Sequence, residues 1–127
     1  MLRSFSTLAL SGALSMCVAS SALAVDLVMV DQKGCHYCEA WMDEIGPAYP
    51  KTDEGKYAPL MRRDIGLGAP EGGRYARRVN FTPTFILMED GTELARIEGY
   101  PGEDFFWPIL TQLLKDNTSF SADTNKR

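Results

Sequence analysis

The sequence predicts an α/β protein with one mixed four-stranded sheet and helices on both faces, in the order β-α-β-α-β-β-α. Short apolar runs alternate with helical patterns in its first half, and a strand–turn–strand pattern comes near its end. The first half therefore contains a β-α-β unit, whose two strands are parallel by the crossover rule, whereas the strands of the hairpin are antiparallel.

Four runs rich in apolar residues are the predicted strands. Turn residues bound them, and Glu89-Asp90-Gly91 forms the hairpin turn between the last two. Segment 66–73 contains four glycines and a proline, so we expect a loop there. The strands are predicted at 25–30, 59–65, 84–88 and 93–97.

Two segments carry apolar residues at the three- and four-residue spacing of a helix: 35–45, and the segment that follows Gly102. A short helix is also predicted at 74–79, where Arg74, Arg77 and Arg78 share one face. That face is a candidate site for an anionic substrate, although such a pattern more often indicates a solvated helix surface.

The N-terminus has the layout of a secretory signal peptide. An apolar run at 5–18 follows Arg3, and Ala22-Leu23-Ala24 has the small-x-small pattern of a cleavage site. The run is short for a membrane anchor, and the large Met16 disfavours lipid attachment at Cys17. We therefore expect removal of residues 1–24, export to the periplasm and one domain over 25–127.

The composition is that of an ordinary globular protein. Apolar residues make up 45% of the 127-residue chain and charged residues 24%. The formal net charge of -4 argues against nucleic acid or an anionic membrane surface as the main partner.

The chemistry is predicted at Cys35 and Cys38, the two cysteines left after cleavage. A Cys-x-x-Cys motif between a strand and a helix is typical of redox proteins. Cys35 lies where free N–H groups and the helix dipole stabilise a thiolate, and Cys38 follows one turn later on the same face. The Cys35 thiolate would thus attack a partner disulfide or sulfur adduct, and Cys38 would resolve the mixed disulfide.

Other meanings of this motif fit less well. Covalent haem attachment needs a histidine where Glu39 stands, and a structural zinc site needs four ligands. A purely structural disulfide across so small a loop would stabilise little. We therefore expect no metal and no cofactor other than the redox-active disulfide itself.

The neighbours of the cysteines are candidates for tuning them. His36, when protonated, would place positive charge beside the thiolate, and the alternative for it is an exposed spacer. Lys33, two residues before Cys35, is a candidate to stabilise the thiolate or to hold a carboxylate. Tyr37, at the helix start, is expected to be exposed.

Taken together, the motifs resemble the thioredoxin superfamily across essentially the whole domain, with a core of glutaredoxin size. The resemblance implies that Pro83 is cis and that its loop faces the cysteines. It also implies that the backbone of Thr82 pairs with the bound substrate chain, so Thr82 and Pro83 are candidate substrate-binding residues. The motifs are Cys35-His36-Tyr37-Cys38, Phe81-Thr82-Pro83-Thr84-Phe85, Asp90-Gly91 and Gly99.

One position departs from the thioredoxin pattern. Thioredoxins carry a buried acid six residues before the first cysteine, where this chain has Met29. Asp31 is the nearest acidic residue and lies closer to the turn. Proton transfer from Cys38 is therefore left to water or to another group.

A narrower pattern, 34–39 together with 99–103, resembles the small periplasmic thioredoxin-like proteins of bacterial sulfur-oxidation (Sox) systems. This resemblance implies a monomeric reductase that removes unwanted adducts from a protein thiol, the cysteine of the Sox sulfur-carrier protein. A membrane electron-transfer protein is expected as its upstream reductant. Two alternatives stay open: glutathione-dependent deglutathionylation, which needs only Cys35, and a non-catalytic module that binds peptides along the Thr82-Pro83 loop.

Overall fold

The computed structural model describes residues 24–121. The predicted signal peptide therefore lies outside the described residues, except for Ala24. The described chain forms a four-stranded sheet, three α-helices and two short 3₁₀ turns at Tyr49–Lys51 and Ile65–Leu67. In chain order the main elements are β1 (Val25–Asp31), α1 (His36–Glu44), α2 (Asp53–Tyr57), β2 (Leu60–Asp64), β3 (Thr84–Glu89), β4 (Thr92–Glu98) and α3 (Glu103–Asn117).

The sheet is mixed, as predicted, with the strand order β2-β1-β3-β4. β1 is parallel to β2 and antiparallel to β3, and β3 is antiparallel to β4. The predicted hairpin turn is confirmed at Asp90 and Gly91, whose φ angles are 50° and 77°. Two consecutive positive φ angles suit the right-handed twist of the flanking strands, which explains the Asp-Gly pair.

The main core lies between one face of the sheet and the helices α1 and α3. At its centre Trp41 of α1 is fully buried, and its ring centroid is 5.1 Å from that of Phe85 in β3 and 5.5 Å from that of Phe106 in α3. Among the described residues the Trp41 Nε1–H has no hydrogen-bond partner. Burying an indole stabilises the fold by about 4–6 kcal/mol, which exceeds the roughly 1–3 kcal/mol cost of that unpaired donor.

The opposite face of the sheet differs from the prediction. Its buried side chains, Val28, Val30, Ile86 and Met88, are covered by an irregular segment that includes Ile65, Tyr75 and Val79. The predicted helix at 74–79 is absent, so the predictions of helices on both faces and of a helix between β2 and β3 are wrong. An unpredicted short helix, α2, lies instead before β2 and packs near α3.

Segment 74–79 is not helical because the β-hairpin takes up its backbone donors. Arg74 N–H donates to the carbonyl of Gly91 at 2.8 Å, and Ala76 N–H donates to the carboxylate of Glu93 at 2.6 Å. Segment 74–79 therefore runs beside the hairpin, where Arg74 forms an isolated bridge with Thr92. The three arginines do not share a helix face, and Arg77 forms an ion pair with Glu98 at 2.8 Å.

A nearly buried ion pair on β4 holds this segment in place. Arg96 donates to both carboxylate oxygens of Glu93, at 2.6 and 2.7 Å, and to the carbonyl of Arg77 at 2.9 Å. Burial acts to raise the pKa of Glu93, but the hydrogen bonds from Arg96 and Ala76 outweigh it, so the pKa is lowered. Arg96 thus joins the irregular segment to the sheet.

Substituting Arg96→Met should lower the free energy of unfolding by about 2–4 kcal/mol, because it leaves the Glu93 carboxylate without its main partner. Urea denaturation followed by circular dichroism measures this loss. Arg77→Met is the matched control: the Arg77 side chain is 61% exposed, and losing its ion pair should cost under about 1 kcal/mol. Equal losses in the two variants would contradict the role given to Arg96.

Candidate active site

The two cysteines lie where β1 ends and α1 begins. Gly34, with φ 77°, reverses the chain after β1, and Cys35 N–H donates to the carbonyl of Gln32 at 3.2 Å. Cys35 is the N-cap of α1, and its φ and ψ angles of -80° and 103° are extended rather than helical. The turn between strand and helix therefore places the Cys35 sulfur at the positive end of α1.

Cys35 and Cys38 are joined by a disulfide, with their Cα atoms 5.2 Å apart. The Sγ of Cys35 also accepts a hydrogen bond from Cys38 N–H at 3.2 Å. Cys35 is 9% exposed and Cys38 is 3% exposed. The sulfur of Cys35 therefore has a backbone donor that would stabilise negative charge after reduction, whereas Cys38 is the inner sulfur of the pair.

His36 and Tyr37 lie on the outer side of the helix start. Both are exposed, Tyr37 by 61%, which confirms its predicted exposure. Their rings meet edge to face, with centroids 5.6 Å apart. Lys33 is exposed two residues before Cys35. These side chains border the disulfide where an approaching partner would meet it.

Thr82 and Pro83 lie at the same end of the sheet as the cysteines. The register pairs Thr84, at the start of β3, with Val30, near the end of β1. The Thr82–Pro83 peptide bond is cis, as the family resemblance implies. Pro83 is buried, and its carbonyl accepts a hydrogen bond from Gly99 N–H at 2.8 Å. The loop before β3 is thereby attached to the end of β4.

Exposed and half-buried groups flank this loop. Phe81 is 61% exposed and Thr82 is half-buried. Together with Glu98 and Gly99 they line a cavity of about 390 Å³. The loop before β3 therefore has an open cavity beside Thr82.

A second cavity, of about 490 Å³, opens directly on the disulfide. It contains an ion pair that the sequence reasoning did not find, between Asp31 at the end of β1 and Arg62 of β2. Arg62 Nε lies 2.7 Å from Asp31 Oδ2. We refer to this cavity as the disulfide cleft. It is lined by residues 31–34, Cys35, Cys38, Glu39, Met42, Asp43 and Arg62.

The register of the sheet explains why this ion pair forms. Met29 of β1 lies opposite Arg62, and Asp31 lies opposite Asp64. The Arg62 side chain therefore has to reach only two residues along β1 to meet Asp31. This relation depends on the offset between two strands that a helical crossover separates, and local sequence pattern does not indicate that offset.

Within the part of the chain that the structure describes, no three His, Cys, Asp or Glu side chains come together as a metal site requires. Among residues 24–121, no helix combines the length and apolarity needed to cross a lipid bilayer.

A disulfide at the N-terminus of the helix that follows the first strand, at the same end of the sheet as a cis-proline loop, defines a thiol–disulfide oxidoreductase with a thioredoxin fold. The chain belongs to the thioredoxin-like domain family, whose sequence model matches residues 18–114. It is similar to the periplasmic thioredoxin SoxS from Paracoccus pantotrophus, whose crystal structure shows the reduced form. The two are 52% identical, with a TM-score of 0.70, and the match covers 72% of this chain and 96% of that one. No curated protein matches the chain.

In the reduced protein, iodoacetamide at neutral pH should modify Cys35 at least about tenfold faster than Cys38. The reason is that helix N-termini favour the reactive thiolate, whereas a buried thiol keeps its proton. Mass spectrometry of the labelled peptides gives the two rates, and Cys35→Ser and Cys38→Ser identify the product of each residue. Equal rates, or faster labelling of Cys38, would contradict the roles given to the two sulfurs.

Proposed function

We propose that this protein is a periplasmic reductase of protein thiols, and that it removes disulfide or sulfur adducts from a cysteine of a partner protein. The observation that carries the role of Cys35 as the attacking sulfur is the hydrogen bond from Cys38 N–H to Cys35 Sγ at the N-cap of α1. It supplies a donor to the sulfur that must carry negative charge as nucleophile and later as leaving group.

The mechanism proceeds through a mixed disulfide. The Cys35 thiolate attacks the sulfur of the partner's modified cysteine. A Cys35–partner disulfide forms, and the sulfur of the adduct, which was bonded to that cysteine, leaves as a thiolate or sulfur anion. Cys38 then loses its proton and attacks Cys35 Sγ, so that the Cys35–Cys38 bond forms and the partner's cysteine leaves as a thiolate. The partner gains two electrons and the cysteine pair loses two.

The proposed partner is the sulfur-carrier protein of a Sox system. The support is the 52% identity with a periplasmic thioredoxin named SoxS, together with the pattern 34–39 and 99–103. The partner's segment beside its modified cysteine would lie along Thr82, where the cavity bordered by Phe81 and Glu98 leaves room for its side chains.

Export and electron supply complete the proposal. Cleavage of the signal peptide after Ala24 would release a monomeric domain, 25–127, into the periplasm. Each catalytic cycle leaves the cysteine pair oxidised, so a reductant must restore it. A membrane electron-transfer protein is the proposed source, since the periplasm is an oxidising compartment.

Cys38→Ser should trap the partner as a covalent mixed disulfide, because the attack that releases it is lost, whereas Cys35→Ser should form no adduct. Affinity purification of the exported variants from cells that express the Sox proteins, followed by non-reducing electrophoresis and mass spectrometry, identifies the trapped protein. The matched control is the Cys35→Ser, Cys38→Ser double variant, which keeps the fold without either thiol.

Two further measurements on the same variants distinguish the alternatives: partner reduction in the presence of glutathione, and rescue of a deletion strain. Reduction of the partner by Cys38→Ser in the presence of glutathione would indicate a monothiol mechanism that needs only Cys35. Rescue of a deletion strain by the double serine variant would indicate a non-catalytic peptide-binding module. Either result would overturn the dithiol mechanism.

The reduction potential of the Cys35–Cys38 pair should lie near that of thioredoxin, about -270 mV, if the protein is a reductase. Equilibration with dithiothreitol or glutathione buffers, read out by thiol alkylation, measures it. A value near about -120 mV would indicate an oxidant, and the proposed direction of electron flow would then be reversed.

A further inference from the structure

The outward side of α3 carries a strip of exposed apolar residues. Phe105 is 65% exposed and Ile109 is 41% exposed, and Pro108, next to Ile109, is exposed as well. Their spacing of three and four residues places them on one face of the helix, which we refer to as the α3 outer face. The opposite face of α3 packs into the main core. The helix is therefore apolar on two sides, and within residues 24–121 only one of them is covered.

The fold gains little from these three residues. Phe105 and Ile109 leave much of their apolar surface in water, where it adds little to stability. Pro108 weakens the helix, because it has no N–H to donate to the carbonyl of Asp104 four residues earlier. Neighbouring apolar residues that stay exposed on one helix face are typical of a surface that another molecule covers.

The α3 outer face begins at the end of the sheet that carries the disulfide. Gly99, after β4, donates its N–H to the carbonyl of Pro83 at 2.8 Å and lines the cavity beside Thr82. α3 begins at Glu103, four residues later, and Phe105 lies in its first turn. A protein that approaches the disulfide along the loop before β3 therefore also comes near the first turn of α3.

Negative charge borders the beginning of this face. Glu103 and Asp104 lie in the first turn of α3. Glu44, at the end of α1, accepts a hydrogen bond from the Tyr100 hydroxyl at 2.5 Å. The pKa of that hydroxyl is raised, first by burial, then by the hydrogen bond and charge of Glu44, and further by the two carboxylates of α3. In the described part of the chain, no lysine or arginine forms an ion pair with any of these three carboxylates.

This acidic border decides what kind of molecule fits the α3 outer face. A second copy of this chain, bound through the same face in a two-fold dimer, would bring like carboxylates together. An anionic membrane surface would be repelled by them and by the formal net charge of -4. A protein that presents an apolar side chain beside lysine or arginine would cover the apolar strip and pair with the carboxylates.

We propose that the α3 outer face is a docking surface for the protein whose cysteine is reduced, and that the matching surface of this partner carries an apolar side chain bordered by lysine or arginine. The partner's modified cysteine meets Cys35, while a second part of its surface covers Phe105, Pro108 and Ile109. The contact speeds the reaction of the partner protein and not that of small disulfides, because only a protein reaches both places. This inference rests on the proposed function, the reduction of a protein disulfide or sulfur adduct.

The probe for this contact is the Sox sulfur-carrier protein, with its cysteine converted to the glutathione mixed disulfide. The reduced, exported protein is mixed with it, the reaction is stopped with an alkylating reagent, and mass spectrometry of the carrier gives the second-order rate constant. Neutral 4,4′-dithiodipyridine is the small disulfide, and its rate constant reports on the attack by Cys35 without docking.

The Phe105→Gln, Ile109→Gln variant should lower the rate constant for the carrier by about tenfold and leave that for dithiodipyridine unchanged, since only contact with a protein is lost. The matched control is Met61→Gln, Leu67→Gln. These two residues are 40% and 64% exposed, and they lie on β2 and in the turn after it. The control variant should keep both rate constants.

The Glu103→Gln, Asp104→Asn variant should lower the rate constant for the carrier by about threefold at low ionic strength and by less at about 0.5 M NaCl, because salt screens the attraction between the two proteins. Asp53→Asn, Glu71→Gln removes the same charges from exposed positions elsewhere and should leave the rate constant unchanged.

A second measurement needs no substitution on the surface. In the covalent complex between the carrier and the Cys38→Ser variant, hydroxyl-radical oxidation of Phe105 and Ile109 should fall at least about threefold below that in the free protein, since residues at the centre of an interface lose contact with water. Oxidation of Leu67 in the same molecule should not change. Mass spectrometry of the digested complex gives all three values.

Several outcomes would overturn the assignment of this face. Equal slowing in the Met61→Gln, Leu67→Gln variant, slowing of dithiodipyridine in parallel, or unchanged oxidation of Phe105 in the complex would mean that the face does not contact the partner. Carrier reduction unaffected by Phe105→Gln, Ile109→Gln would mean the same. A wild-type dimer in sedimentation velocity, or wild-type binding to phosphatidylglycerol vesicles, that this variant loses would then assign the face to a second copy or to a membrane.

Failure of the proposed function looks different. A wild-type protein that reduces dithiodipyridine but not the carrier would show that the carrier is not its substrate. That result would overturn the proposed partner and, with it, the docking surface.

Discussion

The packing of Trp41 between β3 and α3 is the interaction on which the site depends. Trp41 follows Cys38 by three residues in α1, and its contacts with Phe85 and Phe106 hold that helix against the sheet. Because α1 is only nine residues long and begins directly after the turn from β1, fixing its middle also fixes its first turn. The sulfur of Cys35 is thereby kept at a helix N-terminus, at the same end of the sheet as the loop before β3. The chemistry of the pair follows from this placement, since the same two cysteines in a flexible loop would lack both the backbone donor and the burial that distinguish them.

The two sulfurs differ because the helix start and the core act on them in opposite directions. The backbone N–H of Cys38 and the helix dipole favour charge on Cys35, whereas the deeper burial of Cys38, which is 3% exposed against 9% for Cys35, opposes charge there. A dithiol reductase needs this inequality, since one thiol must attack from solution and the other must wait until the mixed disulfide has formed. The Asp31–Arg62 ion pair lies in the disulfide cleft, which Cys38 also lines.

The predictions succeeded where local pattern decides the structure and failed where distant contacts do. The four strands, the hairpin and the Cys-x-x-Cys helix start could be located because short apolar runs, an Asp-Gly turn and a strand-to-helix junction are local signals. The prediction of a helix at 74–79 was wrong. The spacing of three arginines there matches a helical face, but the backbone N–H groups of Arg74 and Ala76 donate to Gly91 and Glu93, which lie 17 residues further along the chain. Helix α2 was missed because its five residues give no measurable periodicity, although Thr52 caps it through Gly55 N–H. The pairing of Asp31 with Arg62 could not be predicted without the β1–β2 register.

The irregular cover on the second face of the sheet has a consequence for how the molecule fluctuates. Segment 65–79 is fastened by side-chain bonds from Arg96 and Glu93 and by a single strand-like bridge, rather than by a helix with its own ladder of hydrogen bonds. We expect a segment held in this way to open locally with a smaller free energy than global unfolding, and amide hydrogen exchange measures such openings. The face that carries the disulfide is packed separately, by α1 and α3. We therefore expect local opening on the side of the sheet that the irregular segment covers, and not on the side that carries the disulfide.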